Sequence, residues 1–131
     1  MIPVKKITLF VQCLVDGLYP EVGEAMMTLF RKLGIQVNCP VDQTCCGQPA
    51  FNAGHRKAAR AAAKRFVEIF EDAEWIVCPS GSCVNMVKHH YPDLFQDDMA
   101  WLIQIFLSFF SGATTSRSIK SCYDFINRDN R

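Results

Sequence analysis

The chain has 131 residues, of which 50% are apolar and 21% charged, and its formal net charge is +1. This length and composition suffice to bury one hydrophobic core without disulfides or a membrane. A nearly neutral chain offers no overall electrostatic attraction for nucleic acid or for an anionic membrane surface. We therefore expect neither of them among its partners.

The chain contains seven cysteines, an odd number. Residues 1–6 lead directly into a strand-like segment, without the long apolar stretch of a signal peptide. We therefore expect a cytoplasmic protein in a reducing environment. In that environment clustered cysteines more often bind metal or carry out redox chemistry than form structural disulfides.

The first two-thirds of the chain predicts strands that alternate with helices. A short run of β-branched and apolar residues at 7–12, continuous rather than alternating, is typical of a strand buried on both faces. Apolar residues at helical spacing predict a helix at 21–33, which Gly34 ends. The same criteria predict strands at 35–39 and 75–78 and helices at 54–70 and 83–90, with Tyr91 and Pro92 ending the last helix.

This order predicts an α/β fold over residues 1–98: a three-layer, Rossmann-like domain with a small parallel sheet and right-handed crossovers. Open sheets of this kind bind ligands at their carboxyl edge. Cysteines follow all three predicted strands, as Cys13, the pair Cys45 and Cys46, and the pair Cys78 and Cys83. We expect these cysteine loops to meet at the carboxyl edge.

Residues 99–131 differ in character from the rest. The apolar run at 101–110 is shorter than the about 20 residues of a transmembrane helix, so we predict a buried or interfacial helix and no transmembrane segment. Residues 111–131 are rich in Ser, Thr, Arg, Lys and Asn and include an isolated Cys122. We expect them to form a poorly ordered tail.

Basic residues recur on one face of the predicted helix at 54–70, at Arg56, Arg60 and Lys64. A solvated helix face is the usual explanation for such a stripe. Positive charge in the first turn opposes the helix dipole, so the alternative is an anionic neighbour, either a thiolate cluster or an acidic partner.

The adjacent pair Cys45 and Cys46 carries most of the functional signal. Neighbouring side chains in an extended chain point apart, so the two thiols do not readily bond each other. Thiolates from three loops can close a tetrahedral zinc site or hold an iron–sulfur cluster. The predicted ligands are Cys13, Cys45, Cys46 and Cys83, with Cys78 as a further candidate that also ends a strand.

Other polar and sulfur-containing residues receive smaller roles. Cys39, inside a strand, is expected to be a small core residue. The three histidines, His55, His89 and His90, are expected at the surface. The predicted hydrogen-bond donors to the sulfurs are Ser80, Ser82 and the backbone amides near Gly47 and Gly81.

The cysteine motifs resemble those of a known family. Cys13, the CCGQPAFNAG stretch at 45–54 and the PSGSC stretch at 79–83 look like the cysteine-rich CCG domain of the lactate utilisation protein A family. That family is similar to the glycolate oxidase iron–sulfur subunit and to one of the subunits of heterodisulfide reductase. The resemblance covers residues 4–98. Because family members typically contain two such domains in tandem, it implies a single-domain or truncated member.

The resemblance also implies a cofactor and a pathway. The family's cysteines hold an iron–sulfur cluster, here expected to be of the 4Fe-4S type, or zinc in some relatives. The wider superfamily often ends in Cys-x-x-Cys, where this chain has Cys78 and Cys83, and a five-thiolate cluster would include Cys78. The family takes part in oxidising L-lactate to pyruvate with partner iron–sulfur or dehydrogenase subunits.

Three functions are compatible with these residues. The leading hypothesis is an electron-transfer module of a lactate or glycolate oxidation complex. It would be an oxidoreductase component that is not catalytic alone, because the chain lacks a Gly-x-Gly-x-x-Gly dinucleotide fingerprint. A zinc-stabilised assembly module without redox activity is the alternative. Thiol–disulfide catalysis by Cys45 and Cys46 is the third.

Overall fold

A computed structural model gives the fold over residues 5–11, 17–109 and 118–121. The strands are β1 (Lys6–Leu9), β2 (Gln36–Asn38), β3 (Trp75–Cys78) and β4 (Ser118–Ser121). The helices are α1 (Pro20–Lys32), α2 (Gln48–Asn52), α3 (Arg56–Phe70), α4 (Gly81–Asn85), a π-helical turn (Met86–His90), α5 (Tyr91–Leu94) and α6 (Met99–Phe109).

The strands form one parallel sheet in the order β2-β1-β3-β4. In its register Ile7 lies opposite Val37, and Ile76 lies opposite Ile119. The predicted α/β class with a small parallel sheet is therefore confirmed. The fourth strand was not predicted, because the sequence of Ser118–Ser121 has a single apolar residue and lies in the expected tail.

Helices cover both faces of the sheet and create two separate cores. The core on the α1 side contains Ile7, Leu9, Val77, Met26 and Phe30. The core on the α3 side includes Phe10, Ile76, Phe66, Phe70, Tyr91, Leu94 and Ile105. Successive strand residues point to opposite faces, so strands with two covered faces are mostly apolar, although Thr8 of β1 is buried and polar. This burial explains the continuous apolar runs in the sequence and the three layers of the fold.

Phe10 fastens the end of β1 to α3. Its ring lies 4.9 Å from the ring of Phe66 and 5.5 Å from that of Phe70, edge to face in both cases. Such pairs contribute about 0.5–1.5 kcal/mol beyond the burial of their surface. The carboxyl end of β1 is thereby held against α3.

The chain after β3 corrects one predicted boundary. We expected Tyr91 and Pro92 to end a helix at 83–90, but the backbone passes from α4 through the π-helical turn into α5. Pro92 lies in the first turn of α5, directly after the π-helical turn, and the residues on both sides of it are helical. The helical backbone therefore continues through the proline and does not end there.

The basic stripe on α3 packs against the acidic turn between α5 and α6. A guanidinium nitrogen of Arg60 lies 3.0 Å from a carboxylate oxygen of Asp97, and the other lies 3.6 Å from Asp98. The other two basic residues also contact this part of the chain. Arg56 donates a hydrogen bond to the Asp93 carbonyl, and the Lys64 ammonium lies 5.2 Å from the centre of the Trp101 ring. The partners of this basic stripe are thus carboxylate, backbone carbonyl and aromatic groups of residues 93–101, and not a thiolate cluster or solvent alone.

Helix α6 contains residues 101–109 of the apolar run predicted as a buried or interfacial helix. Ile105 is fully buried in the core on the α3 side, and Trp101 stacks on Phe95 at 5.9 Å. Among the described helices, none is long and apolar enough to cross a membrane. Of the expected tail at 111–131, the structure describes β4 alone; the remainder lies outside the described residues.

Candidate metal centre

The loop that carries Cys45 and Cys46 turns sharply at Gly47. Gly47 has φ of 92°, in the left-handed region that favours glycine. A Cβ atom there would lie 3.2 Å from the carbonyl oxygen of Ala59 and 3.1 Å from the Cβ of Ala62, both on α3. Glycine is therefore required twice, for the turn and for the close approach to α3. Helix α2 begins immediately after this turn.

Three buried thiols meet where this loop approaches the end of β3. Cys46 lies in the loop, Cys78 is the last residue of β3, and Cys83 lies in α4. The Sγ atoms of Cys46 and Cys83 are 3.5 Å apart, and Cys78 also forms a hydrogen bond with Cys83. We call these three residues the thiol cluster. It lies at the carboxyl edge of the sheet, where ligands bind in folds of this kind.

The other predicted cysteines have different positions. Cys45 is half-buried beside the thiol cluster, and its Sγ accepts a hydrogen bond of 3.4 Å from the N–H group of Gly47. Cys13 and Cys122 lie outside the described residues. Cys39 is half-buried, and its sulfur lies 3.5 Å from the side-chain nitrogen of Gln43.

Polar groups of the PSGSC stretch surround the sulfurs. The backbone N–H of Ser80 lies 3.4 Å from the Cys78 sulfur, and the Ser80 hydroxyl accepts a hydrogen bond from the N–H of Cys83 at the start of α4. The hydroxyl of Ser82 donates to the side-chain oxygen of Gln48 at 2.6 Å. This bond joins the two cysteine motifs directly.

The three thiols of the cluster differ in their pKa values. The thiols of Cys46 and Cys78 both donate toward Cys83, and this lowers the pKa of Cys83 well below that of a free thiol. The same bonds, together with burial, raise the pKa of Cys46 and of Cys78. The metal-free cluster therefore favours a single negative charge centred on the Cys83 sulfur.

Tyr91, which the sequence had suggested only as a helix end, supports the first cysteine motif. Its hydroxyl donates to the backbone carbonyl of Cys46 at 2.7 Å, and its side chain is fully buried. Burial raises the pKa of Tyr91, so its hydroxyl remains protonated and able to donate. No local sequence pattern indicates this contact, because the two residues are joined only by the tertiary fold.

The three histidines are exposed or partly exposed. His55 and His89 are exposed. The ring of His90 is partly exposed and lies 4.6 Å from that of Phe51, a residue of α2. Its Nδ1 atom is 3.9 Å from a carboxylate oxygen of Asp93.

The donor chemistry of the thiol cluster fits a soft metal. Two thiolates on a tetrahedral zinc ion, each at about 2.3 Å from the metal, are about 3.8 Å apart, close to the separation of Cys46 and Cys83. Among the described residues, no three Cys, His, Asp or Glu side chains already form a metal-binding arrangement. The sulfurs of Cys46 and Cys83 are therefore close to the spacing of two zinc ligands, and the thiol of Cys78 is hydrogen-bonded to Cys83.

Comparison with known proteins gives matches to the same motifs. The family model of the cysteine-rich CCG domain matches residues 7–88. Lactate utilization protein A 2 of Bacillus cereus (strain Q1) is 45% identical over 96 residues, which are 73% of this chain and 40% of the relative. Lactate utilization protein A of Bacillus thuringiensis (strain Al Hakam) is 52% identical with the same coverage.

The chain spans 40% of the length of these curated relatives. No solved structure matches it significantly. The matched residues include Cys13, the Cys45–Cys46 pair, Cys78 and Cys83, so the resemblance predicted from the cysteine motifs is confirmed. With its cysteine loops converging on the carboxyl edge of a small parallel sheet, the chain belongs to the CCG cysteine-rich domain family.

Proposed function

We propose that the chain binds an iron–sulfur cluster through its cysteines and serves as an electron-transfer module in L-lactate oxidation. The observation that carries the proposal is the meeting of three buried thiols, those of Cys46, Cys78 and Cys83, at one edge of the sheet. The ligand set consists of these three residues with Cys45 beside them and Cys13. Such sulfur ligands hold iron–sulfur clusters and zinc in preference to hard cations.

The role in lactate oxidation rests on the relatives. The curated proteins that this chain resembles are named for lactate utilization, and they are more than twice as long as the matched segment. We infer that the chain provides one part of such a system, with the dehydrogenase chemistry on other iron–sulfur or dehydrogenase subunits. It would act in the cytoplasm, as an oxidoreductase component that is not catalytic alone.

The residues around the thiol cluster would determine how it performs this role. A bound cluster would supply one-electron redox chemistry. The described side chains exclude water, since Cys46, Cys78 and Cys83 are each at most 5% exposed. The N–H groups of Ser80 and Gly47 donate to sulfur, and hydrogen bonds of this kind raise the reduction potential of a thiolate-bound centre.

The deciding experiment is the measurement of iron, zinc and acid-labile sulfide in protein purified without oxygen, together with its visible spectrum. Iron with matching sulfide, and a brown colour that dithionite bleaches, would support the electron-transfer module. Absence of both metals from the freshly purified protein would contradict metal binding and leave thiol chemistry as the function.

Zinc is the second candidate, and one distance favours it. The 3.5 Å separation of the Cys46 and Cys83 sulfurs is near the edge of a single-ion tetrahedron, whereas terminal thiolates of a cluster bind separate irons and stand farther apart. Zinc without sulfide, in a colourless and redox-silent protein, would establish a structural module. The metal would then hold the loops together for assembly with a partner.

A further inference from the structure

The side chain of Gln43 joins the loop before the cysteine pair to the end of β1. Its Oε1 atom accepts a hydrogen bond of 2.7 Å from the N–H group of Val11. Its Nε2 atom donates to the carbonyl oxygens of Leu9 at 3.2 Å and of Pro40 at 2.7 Å. One amide thus satisfies three backbone groups, and its two ends match their donors and acceptors only in this orientation.

The position of these bonds follows from the register of β1 and β2. Gln36 lies opposite Lys6, and its N–H group donates to the carbonyl of Lys5 at 2.8 Å. In a parallel ladder, each second residue of β2 repeats this pattern two residues farther along β1. The pattern therefore predicts that Pro40 faces Phe10 and bonds to the residues on either side of it.

Pro40 cannot complete that step, because proline has no N–H group. This leaves the carbonyl of Leu9 without its ladder donor, and the Gln43 amide supplies that donor; Gln43 also accepts from the N–H of Val11. The side-chain amide of Gln43 therefore replaces the missing backbone step of the ladder. It also occupies the Pro40 carbonyl, which would otherwise have bonded to Val11.

We propose that Gln43 is the positioning residue of the metal centre, which sets the Cys45–Cys46 pair at the edge of the sheet. The inference rests on the proposed metal binding. Gln43 stands two residues before Cys45, and its side chain is fixed to β1, the strand next to β3. Because Cys78 ends β3, this fixed point sets the distance from the cysteine pair to the rest of the thiol cluster.

The test uses the full chain with Gln43→Ala and Gln43→Glu. The alanine variant removes all the bonds, and the glutamate variant keeps an acceptor for Val11 but loses the donor to Leu9 and Pro40. Met26→Ala is the control, because this substitution removes buried contacts from the core on the α1 side and leaves the hydrogen-bonding groups of Gln43 in place. Amide hydrogen exchange at Val11 reports the bond itself in metal-free protein.

Two further measurements report the position of the thiols. The first is the rate at which a chelator extracts the bound metal. The second uses metal-free protein in a Cys45→Ser background: phenylarsine oxide bridges thiols that are close together, and mass spectrometry identifies the Cys46–Cys83 adduct. The second measurement does not depend on which metal binds, or on whether any does.

We expect exchange at Val11 to be about tenfold faster in Gln43→Ala, with metal extraction faster and adduct formation slower by a similar factor. If exchange at Val11 is faster but the rates of adduct formation and metal extraction equal those of Met26→Ala, Gln43 is purely structural and the inference is overturned. Unchanged exchange would overturn it as well. If wild-type protein holds no metal while the adduct forms more slowly in the variants, the positioning role stands and the proposed function fails.

Discussion

Cys46 is held at both its sulfur and its backbone. The sulfur lies 3.5 Å from Cys83 and accepts from the backbone N–H of Gln48, while the carbonyl accepts from Tyr91. A residue with both ends fixed cannot rotate its thiol away from the cluster without losing a buried hydrogen bond. The cysteine therefore presents its sulfur at a defined place before any metal arrives.

Replacing Tyr91 by phenylalanine tests this support. The ring would still fill its place in the core, but the carbonyl of Cys46 would remain buried without its donor. We expect the free energy of unfolding to fall by about 1–3 kcal/mol, measured by urea denaturation. Tyr19→Phe is the matched control because Tyr19 is 53% exposed, and equal effects of the two substitutions would contradict the role assigned to Tyr91.

The ligand set makes a second prediction at the residue scale. Cys46→Ser and Cys83→Ser should each lose most of the bound metal, because the hydroxyl is a poor ligand for soft metals. Cys39→Ser should keep it, since Cys39 is not part of the thiol cluster and a serine oxygen can still accept from the Gln43 amide. Metal analysis of the purified variants decides the matter. Full retention of metal in both Cys46→Ser and Cys83→Ser would exclude the thiol cluster as the binding site.

Sequence reasoning brought Cys46, Cys78 and Cys83 to one edge of the sheet but did not indicate which residues support them. Thiols at the ends of parallel strands share that edge, and the role of these three as metal ligands stays a prediction. Gln43 and Tyr91 were missed because their bonds to Val11 and Cys46 span more than 30 residues of the chain, and nothing local distinguishes them from ordinary polar residues. Such contacts follow from the tertiary fold, and no spacing of residues in the sequence indicates them.

At the scale of elements, the turn at Gly47 determines how closely the cysteine loop approaches α3. Gly47→Ala should lower the free energy of unfolding by about 2–4 kcal/mol, because the new methyl group meets both a disfavoured φ and the backbone of α3. Thermal or urea unfolding measures the loss.

Gly81→Ala is the control for that substitution. Gly81 begins α4, and a Cβ atom there meets nothing within 4 Å. Alanine favours the helix and restricts the unfolded chain, so this variant should be neutral or more stable by about 0.4–1 kcal/mol. If alanine at Gly47 proved equally harmless, the close packing of the loop on α3 would be wrong.

Contacts of α3 with the α5–α6 turn provide a second prediction about elements. Arg60 lies 5.1 Å over the Phe95 ring in addition to its carboxylate contacts, so Arg60→Met should cost about 1 kcal/mol. Arg65→Met should cost less than about 0.5 kcal/mol, because the Arg65–Glu68 pair is exposed and 4.0 Å apart. Denaturation at low and high salt compares them; a larger loss for Arg65 would contradict the structural role of the stripe.

The predicted and observed elements differ where local pattern and tertiary context disagree. The strand at 75–78 was predicted with its observed bounds, because the run Trp75–Cys78 is apolar and ends at Pro79. The strand Ser118–Ser121 was not, since one isoleucine among polar residues does not signal a strand. It forms by pairing with β3, a strand far earlier in the chain, and no local pattern reports a partner at that distance.

For the whole molecule, metal binding and folding should be linked. The proposed ligands come from the loop after β2, the end of β3 and α4, so they are assembled only in the folded chain. A metal that binds only the folded state adds about 2.7 kcal/mol of stability when its free concentration is 100 times its Kd. For a domain of this size, removal should lower Tm by about 10 °C.

Calorimetry before and after chelation measures this shift. The double variant Cys46→Ser, Cys83→Ser supplies the control, because its Tm should not respond to the chelator. An equal shift in that variant would show that the metal stabilises the protein from another place, and no shift in wild-type protein would show that the site contributes nothing to folding.

The strand order also has a consequence for synthesis on the ribosome. β3 is an inner strand only because β4 pairs with it, and β4 is made well after β3. Until residues 118–121 emerge, one side of β3 offers unpaired backbone groups beside buried apolar side chains, the arrangement that recruits foreign strands. While residues 79–117 are being made, the nascent chain is thus open to aggregation or chaperone capture at the strand that ends in Cys78.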